Sequence, residues 1–392
     1  MNSTAHTHEL PAEFITDAVA WRRHLHQHPE LAYNEHKTAD FIASQLAQWG
    51  LKIHRGLGGT GVVGTLTRGS RQRSIAVRAD MDALPMDEQS GAAHSSSTRG
   101  VMHACGHDGH VTMALTAARI CAGLPDLDGT VHFIFQPAEE GQCGARRMIE
   151  DGLFRMFPCD AVYALHNQPL LPLGTCVARD GVMQAACGLF EIQITGRGCH
   201  GGRPHQGIDA LLAGCQLVTS LQSVVSRNVD PLEAAVVSVT QMRAGETFNV
   251  IPEHCSIMGT TRWFDEATGD RIEQRVRELA GAITAAFGCA AQVNYERRFP
   301  ATVNSPSAAH FIRSVAATVS GLTVVDRLPT TGAEDFSEML RIVPGCFFWL
   351  GTGKSDNDPG LHSPRYDFND EALPLGAALW VSLVRESLSA AA

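Results

Sequence analysis

The sequence lacks long hydrophobic runs and has little positive charge. No apolar run in the 392-residue chain reaches the ~18 residues that a membrane-spanning helix needs, so no such helix is predicted. Acidic residues outnumber basic ones by 41 to 31, and the net charge is −10. Because nucleic acids and anionic membranes are bound by concentrated positive charge, this balance argues against both as partners.

Paired cysteines and a secretion signal are also missing. The 11 cysteines are odd in number, irregularly spaced and without a Cys-x-x-Cys pair, which argues against a disulfide framework. Residues 1–13 are polar and lack the basic and then apolar stretches of a signal peptide. We therefore expect reduced thiols and a cytoplasmic protein.

The apolar patterns predict an α/β fold in two domains, for which the chain is long enough. Strands alternate with helices in residues 1–183 and again in residues 298–392, which indicates one discontinuous domain with a mostly parallel mixed sheet flanked by helices. Residues 184–297 follow the order β-α-β-β-α-β, which is typical of a ferredoxin-like α+β domain. This smaller domain is predicted to be inserted in the larger one.

Four short segments carry the side chains that divalent transition metals prefer. Each is expected on an irregular stretch beside an apolar strand. Thiolate, imidazole and carboxylate groups together suit a transition-metal site, and a metal with an open position lowers the pKa of a bound water to near neutrality. The segments are residues 105–108, 139–141, 165–167 and 361–363.

The densest segment, residues 102–110, holds three histidines, a cysteine and an aspartate. Cys105 and His107 are two residues apart, so both can reach one metal from an extended backbone. His103 and His110 are open to a supporting or a packing role. A chance cluster of surface residues does not explain so many ligand-type residues in one short segment.

The other three segments supply two adjacent glutamates and two single histidines. The side chains of Glu139 and Glu140 diverge because they are neighbours, so one can bind metal while the other faces a water molecule. An exposed acidic turn is the alternative interpretation of the pair. His166 and His362 would each be structural if taken alone, but beside the other segments they are predicted ligands.

Asp80 and Asp82 follow an apolar strand and precede Leu84-Pro85. Residues two apart point the same way along a strand, and open α/β sheets bind ligands beyond the carboxyl ends of their strands. The pair is therefore predicted to be functional. A solvated loop or a helix cap is the alternative.

Two glycine-rich stretches need separate interpretations. Residues 56–61 match Gly-x-Gly-x-x-Gly, but a strand-like run follows, whereas a dinucleotide fingerprint opens a helix. A hairpin turn is predicted there instead. Residues 196–205 contain His200 and His205 among glycines, and a polar arm over the site and a plain turn before a helix both remain open.

At these residues the chain resembles the metal-dependent aminoacylase/carboxypeptidase amidohydrolases, which include hippurate hydrolase and the indoleacetyl-amino-acid hydrolases. The similar stretches follow one another along nearly the whole chain and are specific as a set. One departure is Cys199, where a small residue such as glycine is more usual. The stretches are residues 22–31, 78–85, 102–110, 136–141, 200–205, 249–252, 332–336 and 362–368.

The resemblance implies a catalytic domain with a two-metal site and an inserted dimerisation or lid domain. Cys105 would bridge or flank two divalent ions (Mn, Zn or Co), and Glu139 would be the general base. Asp82 would orient a ligand histidine, with Asp80 beside it, and the sequence does not separate these two roles. The implied metal ligands are Cys105, His107, Glu140, His166 and His362.

The resemblance also implies how substrate is held. His200 would reach the active site of a partner subunit and bind the carbonyl oxygen, while Asn249 and Arg262 would hold the substrate carboxylate. Glu334 would be a further substrate-binding residue. For Arg262 a salt bridge is the alternative. A homodimer is expected, and a tetramer is possible.

The predicted reaction is hydrolysis of an N-acyl amino acid to a carboxylate and a free amino acid. One alternative is a metallo-dipeptidase or carboxypeptidase of the same fold. Another is a hydrolase in which Cys105 is the nucleophile and His107 its base. A third is a metal-binding protein without catalysis, against which the presence of Glu139 beside a full ligand set argues.

Overall fold

The computed structural model describes residues 11–355 and 357–389. The predicted absence of a signal peptide therefore falls mostly outside the described residues. The chain divides into two compact units. The first unit contains the chain up to Met183, Val303–Leu328 and the part from Asp335 onward, and the second contains Gln184–Thr302 and Pro329–Glu334. Residues 298–302 and 329–334, predicted to belong to the larger domain, are thus in the second unit.

The longer strands lie at apolar runs of the sequence, whereas the strands of four residues or fewer were not predicted. In chain order they are β1 (Lys52–Leu57), β2 (Gly61–Arg68), β3 (Ser74–Asp80), β4 (Gly129–Gln136), β5 (Ala161–Pro172), β6 (Thr175–Val177), β7 (Gly181–Gln184), β8 (Ala186–Thr195), β9 (Cys199–His200), β10 (Ala235–Ala244), β11 (Val250–Ile251), β12 (His254–Trp263), β13 (Ala290–Phe299), β14 (Thr302–Asn304), β15 (Thr323–Val324) and β16 (Gly345–Gly353).

Several helices begin where a side chain caps the first turn: Asp209, Asp265 and Ser305 each accept a backbone N–H of the helix that follows. A 3-10 helix spans Pro204–Gln206. The α-helices are α1 (Ala12–Gln27), α2 (His36–Gln48), α3 (His107–Ala122), α4 (Glu139–Gln142), α5 (Gly144–Glu150), α6 (Leu153–Met156), α7 (Ala210–Asn228), α8 (Glu266–Ala286), α9 (Pro306–Ala316), α10 (Ser337–Leu340) and α11 (Ala372–Leu388).

The described part of the first unit contains an eight-stranded mixed sheet in the order β1-β2-β4-β3-β5-β16-β6-β15. The neighbours from β4 through β3 and β5 to β16 are parallel, as is the β6–β15 pair, and the others are antiparallel. The predicted mostly parallel mixed sheet is confirmed. Its four central strands end at one edge, which is where such sheets bind ligands.

Both faces of this sheet are covered because successive strand residues point to opposite sides. On β3, Ile75, Val77 and Ala79 pack with helices α1, α2, α3, α9 and α11. Ala76 packs on the other face with α5, α6 and α10. Burying one Ile or Val side chain contributes about 1.5–3 kcal/mol, so these two apolar layers fix the register of the strand ends.

The second unit contains a four-stranded antiparallel sheet in the order β10-β12-β8-β13. Its elements follow the order β8-α7-β10-β12-α8-β13. The apolar side chains of α7 and α8, such as Leu217 and Ile272, pack with Phe190 and Ile192 of β8. The short strands β9 and β11 pair as a separate two-stranded antiparallel sheet in which His200 lies opposite Val250.

The glycine-rich stretch at residues 56–61 is a hairpin turn, as predicted. Strands β1 and β2 pair antiparallel on either side of it, with Leu57 opposite Gly61. Gly56, Gly58 and Gly59 all have positive φ angles, a region that glycine enters without a Cβ penalty. Among the described residues, no helix is long and apolar enough to cross a membrane.

Some predicted element positions are wrong. His166 lies inside β5, which continues to Pro172, rather than on an irregular stretch after the strand. The stretch before α7 does not continue into it, because Pro204–Gln206 forms a separate 3-10 turn and α7 begins only at Ala210. Helix α9 was not predicted, although Ser305 followed by Pro306 is a typical helix start.

Candidate metal centre

The centre lies at the carboxyl edge of the parallel strands of the first unit. By strand alternation, Asp80, Gln136 and His166 lie at the strand ends in line with Ala76, Ile134 and Ala164 of the same strands, which pack together. The register places Asp80 beside Gln136. Polar side chains of separate chain segments are therefore brought to one place by apolar packing below them.

Cys105 and His166 meet at this edge. Their Sγ and Nε2 atoms are 3.5 Å apart, and both residues are buried. The Nδ1 atom of His166 donates to the backbone oxygen of Asn167 at 2.8 Å, which leaves Nε2 as the free nitrogen. Burial lowers the pKa of His166 well below its ordinary value, so the ring is neutral, the form that binds metal.

His107, the first residue of α3, has the same arrangement. Its Nδ1 atom donates to the backbone oxygen of Asp82 at 2.9 Å and lies 3.3 Å from Asp82 Oδ1. Its Nε2 atom is 4.0 Å from Glu140 Oε1. Burial opposes charge on His107, but the Asp80 charge and the contact with Asp82 outweigh burial and raise its pKa to about 10. The value reflects an excess of negative charge that a divalent cation would neutralise.

Burial also disfavours the charged form of the cysteine. Together with the Glu140 and Glu139 charges, it raises the pKa of the Cys105 thiol well above its ordinary value. A buried thiol among carboxylates is a poor nucleophile by itself, whereas a coordinated thiol is deprotonated. This electrostatic setting favours Cys105 as a metal ligand.

Glu139 and Glu140 lie on α4, a single irregular turn after β4. The residue before it, Ala138, has φ 55° and ψ 41°, and Glu140 itself has a non-helical ψ of 73°. Glu140 N donates to Asp82 Oδ2 at 3.0 Å. Glu139 is buried, with 7% of its surface exposed, and Glu140 is half-buried. The two side chains therefore have different surroundings, as their adjacency predicts.

His362 completes the ring of predicted ligands. Its Nε2 atom is 3.1 Å from Glu140 Oε1, and its side chain is half-exposed. Its φ of 63° is unusual for a residue other than glycine. The backbone bond from His362 N to Ala104 O, 2.8 Å long, holds this conformation beside the Cys105 segment.

The residues fit a pair of metal ions. Cys105, Glu140 and His362 have ligand atoms within 4.8 Å of one another, and so do His107, Glu139 and Glu140. Within the described residues, His107 Nε2 is buried without a hydrogen-bond partner. Buried polar atoms are rarely left unpaired. Two overlapping groups that share Glu140, with Cys105 next to His166, match a two-metal arrangement.

Asp80 and Asp82, which the sequence left unseparated, have different contacts. Asp82 touches His107 and the backbone of Glu140. Asp80 accepts from Arg78 Nη1 at 2.7 Å and contacts His110 Nδ1 at 2.6 Å. Although burial opposes ionisation of Asp80, His107, Arg78 and His110 hold its pKa well below the ordinary value.

His110 is held by protein groups on both ring nitrogens. Nδ1 contacts Asp80, and Nε2 lies 2.6 Å from Asn167 Oδ1. Asn167 in turn donates to the Tyr366 hydroxyl at 2.6 Å. His110 is therefore a supporting residue rather than a ligand. His103 is buried, and burial lowers its pKa to about 4, which is typical of a packed neutral histidine.

A buried ion network that the sequence did not predict lies under the site. Arg78 donates to Gln136 at 2.8 Å and to Asp335 at 3.1 Å, and Gln136 also donates to Asp335. Ala145 N donates to the second Asp335 oxygen at 2.9 Å. The partners are far apart in the chain, and only the motif at residues 332–336 gave a signal for Asp335.

The predicted substrate residues lie in the second unit. His200 is exposed, and its Nδ1 accepts from Gly202 N at 2.9 Å. Gly201 N donates to Asn249 O at 2.7 Å, so His200 and Asn249 lie next to each other where β9 pairs with β11. Residues 196–205 thus form an exposed turn that presents a histidine, and His205 is in the 3-10 helix that follows.

Arg262 and Glu334 also lie in the second unit. Arg262 donates to the backbone oxygens of Thr331 at 3.2 Å and Thr261 at 2.9 Å, and to the Thr260 hydroxyl. Among the described residues no carboxylate forms an ion pair with Arg262, which disfavours the salt-bridge alternative. Glu334 is buried, with 2% of its surface exposed.

Comparisons with known proteins cover most of the chain. Residues 76–386 match the model of peptidase family M20/M25/M40. The N-acetyl-L-cysteine deacetylase of Bacillus subtilis (strain 168) is 39% identical over 91% of this chain and 84% of its own. The hippurate hydrolase of Campylobacter jejuni is 36% identical over 94% of this chain and 95% of its own.

A solved structure is similar along the entire fold. It is a Bacillus subtilis protein described as a dinuclear metal binding peptidase from the M20 family. The two chains are 32% identical with a TM-score of 0.84, over 96% of this chain and 99% of that one. The likeness therefore extends over nearly the whole chain.

Proposed function

Because the chain belongs to peptidase family M20/M25/M40, we propose that it is a metal-dependent amidohydrolase that cleaves N-acyl amino acids to a carboxylate and a free amino acid. The family resemblance seen in the motifs is confirmed, and so is the enzyme class, a hydrolase of linear amide bonds. The observation that supports the site is that the ligand atoms of Cys105, Glu140 and His362, and those of His107, Glu139 and Glu140, lie within 4.8 Å of one another.

Five side chains would hold two divalent ions (Mn, Zn or Co): Cys105, His107, Glu140, His166 and His362. The similar dinuclear structure supports this assignment. Their chemistry fits, since both buried histidines keep Nδ1 bonded to a backbone oxygen and offer Nε2. When bound, such a pair lowers the pKa of water and polarises the amide carbonyl.

The remaining residues of the site would handle protons and orientation. Glu139 would take a proton from water and deliver it to the leaving nitrogen, because its carboxylate lies within 4.8 Å of the ligand atoms of His107 and Glu140. Asp82 would keep His107 in the correct tautomer and fix the backbone of Glu140. Asp80 would support the site through its contacts with His110 and Arg78.

Most of the second unit, residues 184–297, would be a ferredoxin-like dimerisation and lid domain, inserted in a catalytic domain that contains the first unit. His200 would serve the active site of a partner subunit and stabilise the oxyanion there. Asn249 and Arg262 would hold the substrate carboxylate, with Glu334 as a further contact. The assembly would be a homodimer, or two such dimers, in the cytoplasm, where the eleven free thiols would stay reduced.

The test is turnover on a substrate panel. N-acetyl, N-benzoyl and long-chain acyl amino acids, together with dipeptides, would each be assayed with Mn²⁺, Zn²⁺ and Co²⁺. We expect release of the free amino acid from at least one N-acyl series. Preference for dipeptides would point instead to a dipeptidase or carboxypeptidase of this family. No turnover by metal-loaded protein would contradict the proposed function.

Mixed dimers test the role of His200. We expect His200→Ala and Glu139→Gln chains to be nearly inactive alone and to recover activity when combined in one dimer. The reason is that a mixed dimer has one site with both an intact Glu139 and an intact partner histidine. The measurement is kcat of heterodimers purified with two different tags.

The matching control is a mixed dimer that carries both substitutions on the same chain beside a wild-type chain. Each of its sites lacks one of the two groups, so this dimer should recover no activity. Activity of this control without activity of the first mixed dimer would mean that His200 acts within its own subunit. Equal activity of the two mixed dimers would mean that His200 has no catalytic role.

Arg262 is expected to bind the substrate α-carboxylate. Arg262→Ala, or amidation of that carboxylate, should each lower kcat/KM by roughly 10–150-fold, the value of a charge-assisted hydrogen bond of ~1.5–3 kcal/mol. Applied together, the two changes should cost little more than either alone, because they remove one contact. Steady-state kinetics on matched acid and amide substrates measures this.

The control is Arg297→Ala, which removes a second-unit arginine that pairs with Glu266, Asp270 and Glu273. It should leave the preference for the free carboxylate unchanged. Fully additive losses for Arg262→Ala and amidation would show that Arg262 does not bind the carboxylate.

A further inference from the structure

Two side chains of one short segment hold the two ends of the α4 turn. Glu35 Oε1 accepts the Ala138 N–H at 2.9 Å, directly before the turn. The Tyr33 hydroxyl donates to the Gln142 oxygen at 2.8 Å, at its last residue.

Glu35 is fixed in place on both of its oxygens. The residue is fully buried, with none of its surface exposed. Oε2 accepts from the Thr60 hydroxyl at 2.6 Å, while Oε1 holds Ala138. Burial raises the pKa of Glu35, but a carboxyl group can accept the Ala138 N–H in either protonation state. The Ala138 N–H therefore needs a hydrogen-bond acceptor at this position, whether or not Glu35 is charged.

The turn needs such support because its backbone is not that of a regular helix. Ala138 has φ 55° and Gly141 has φ 75°. Left-handed conformations at residues other than glycine persist only where the surroundings enforce them. If Ala138 relaxed to an extended conformation, the directions of the next two side chains, Glu139 and Glu140, would change.

We propose that Glu35 and Tyr33 are positioning residues that hold the α4 turn, so that Glu139 faces the reacting groups while Glu140 faces the metal ligands. This inference rests on the proposed function for what the two glutamates do. Glu35 acts through the Ala138 amide and Tyr33 through the Gln142 carbonyl. Neither is a metal ligand.

Replacement of Glu35 by two residues of similar size separates positioning from general stability. Glu35→Gln keeps an acceptor for the Ala138 N–H, so it should retain most of the activity. Glu35→Leu fills the space but leaves a buried N–H unpaired, which should lower kcat by about 10- to 100-fold with KM little changed. The same variant should bind Co²⁺ more weakly, because Glu140 is no longer held among the other ligands.

Hydrogen–deuterium exchange tests the turn without relying on turnover. Peptides covering residues 137–145 should exchange faster in Glu35→Leu than in wild type, and at the wild-type rate in Glu35→Gln. Tyr33→Phe should also speed exchange there and lower kcat several-fold. Because Tyr33 is partly exposed (36%), this variant should fold even where Glu35→Leu does not.

Glu233→Gln is the matched control. Glu233 accepts the Thr268 hydroxyl at 2.6 Å in the second unit, a contact like that of Glu35 with Thr60. It should leave kcat, Co²⁺ affinity and exchange of residues 137–145 unchanged.

The proposal would be overturned if residues 137–145 exchanged at the wild-type rate in Glu35→Leu. If Glu35→Leu does not fold, the same result in Tyr33→Phe would overturn it. So would equal losses in Glu35→Gln and Glu35→Leu. A wild-type protein without turnover would contradict the proposed function instead, and the exchange measurement would still decide the role of Glu35.

Discussion

Glu139→Gln is expected to lower kcat by ~10²–10⁴-fold, the usual loss when a general base is removed, while the protein keeps its metal. Glutamine has the size of glutamate but cannot accept a proton at this position. Glu139 is buried beside His107 and Glu140, so solvent cannot easily replace its function. Steady-state kinetics and elemental analysis of the same preparation measure the two quantities.

Glu140→Gln is the matched comparison, one residue away on the same turn. Glu140 Oε1 lies 3.1 Å from His362 Nε2 and belongs to both groups of ligand atoms. Loss of its charge should therefore lower metal content first and activity as a consequence, and excess metal should restore part of the activity. If the two variants exchanged these phenotypes, the assignment of base and ligand would be reversed.

The separation of the two glutamates could be predicted because it depends only on neighbouring residues. Adjacent side chains diverge in almost any backbone conformation, and Cys105 and His107 lie within one short segment. The same holds for the hairpin at residues 56–61, where three glycines enter positive φ. Local chemistry determines these features, so a single sequence is enough to find them.

The distinction between Asp80 and Asp82 could not be predicted in this way. Both follow the same strand, and their roles depend on groups that approach from elsewhere. Asp80 is held by Arg78 and His110, and Asp82 by His107 and the Glu140 backbone. Which partner reaches which carboxylate is decided by the packing of α3 and α4 on the sheet.

The supports of the site are long-range contacts and were missed for the same reason. Arg78 and Asp335 are 257 positions apart, and Glu35 and Ala138 are 103 apart. An isolated acid such as Glu35 has no local pattern that distinguishes it from a solvated surface residue. By contrast, α9 had a local signal in Ser305 and Pro306, so its absence from the prediction reflects a missed helix start.

Of all these changes, removal of metal should lower the activity most. We expect exhaustive chelation to abolish hydrolysis and about two equivalents of a divalent ion per chain to restore it. The reason is that the predicted ligands include two groups that share Glu140, which suits two metal ions ~3.5–4 Å apart. Titration of the metal-free protein, with activity and bound metal measured at each addition, gives the stoichiometry. The thiolate favours Zn²⁺ or Co²⁺, whereas Mn²⁺ suits the carboxylates.

Cys105→Ser distinguishes a metal ligand from a cysteine nucleophile. As a ligand, Cys105 contributes to affinity, so the serine variant should need more metal but regain part of the activity in excess, with an unchanged melting temperature of the metal-free protein. A nucleophile at Cys105 would instead leave the wild type active after chelation and the serine variant inactive at every metal concentration. The buried thiol, whose pKa lies well above its ordinary value and whose sulfur is 3.5 Å from His166 Nε2, favours the first result, because only a bound cation would make its thiolate stable there.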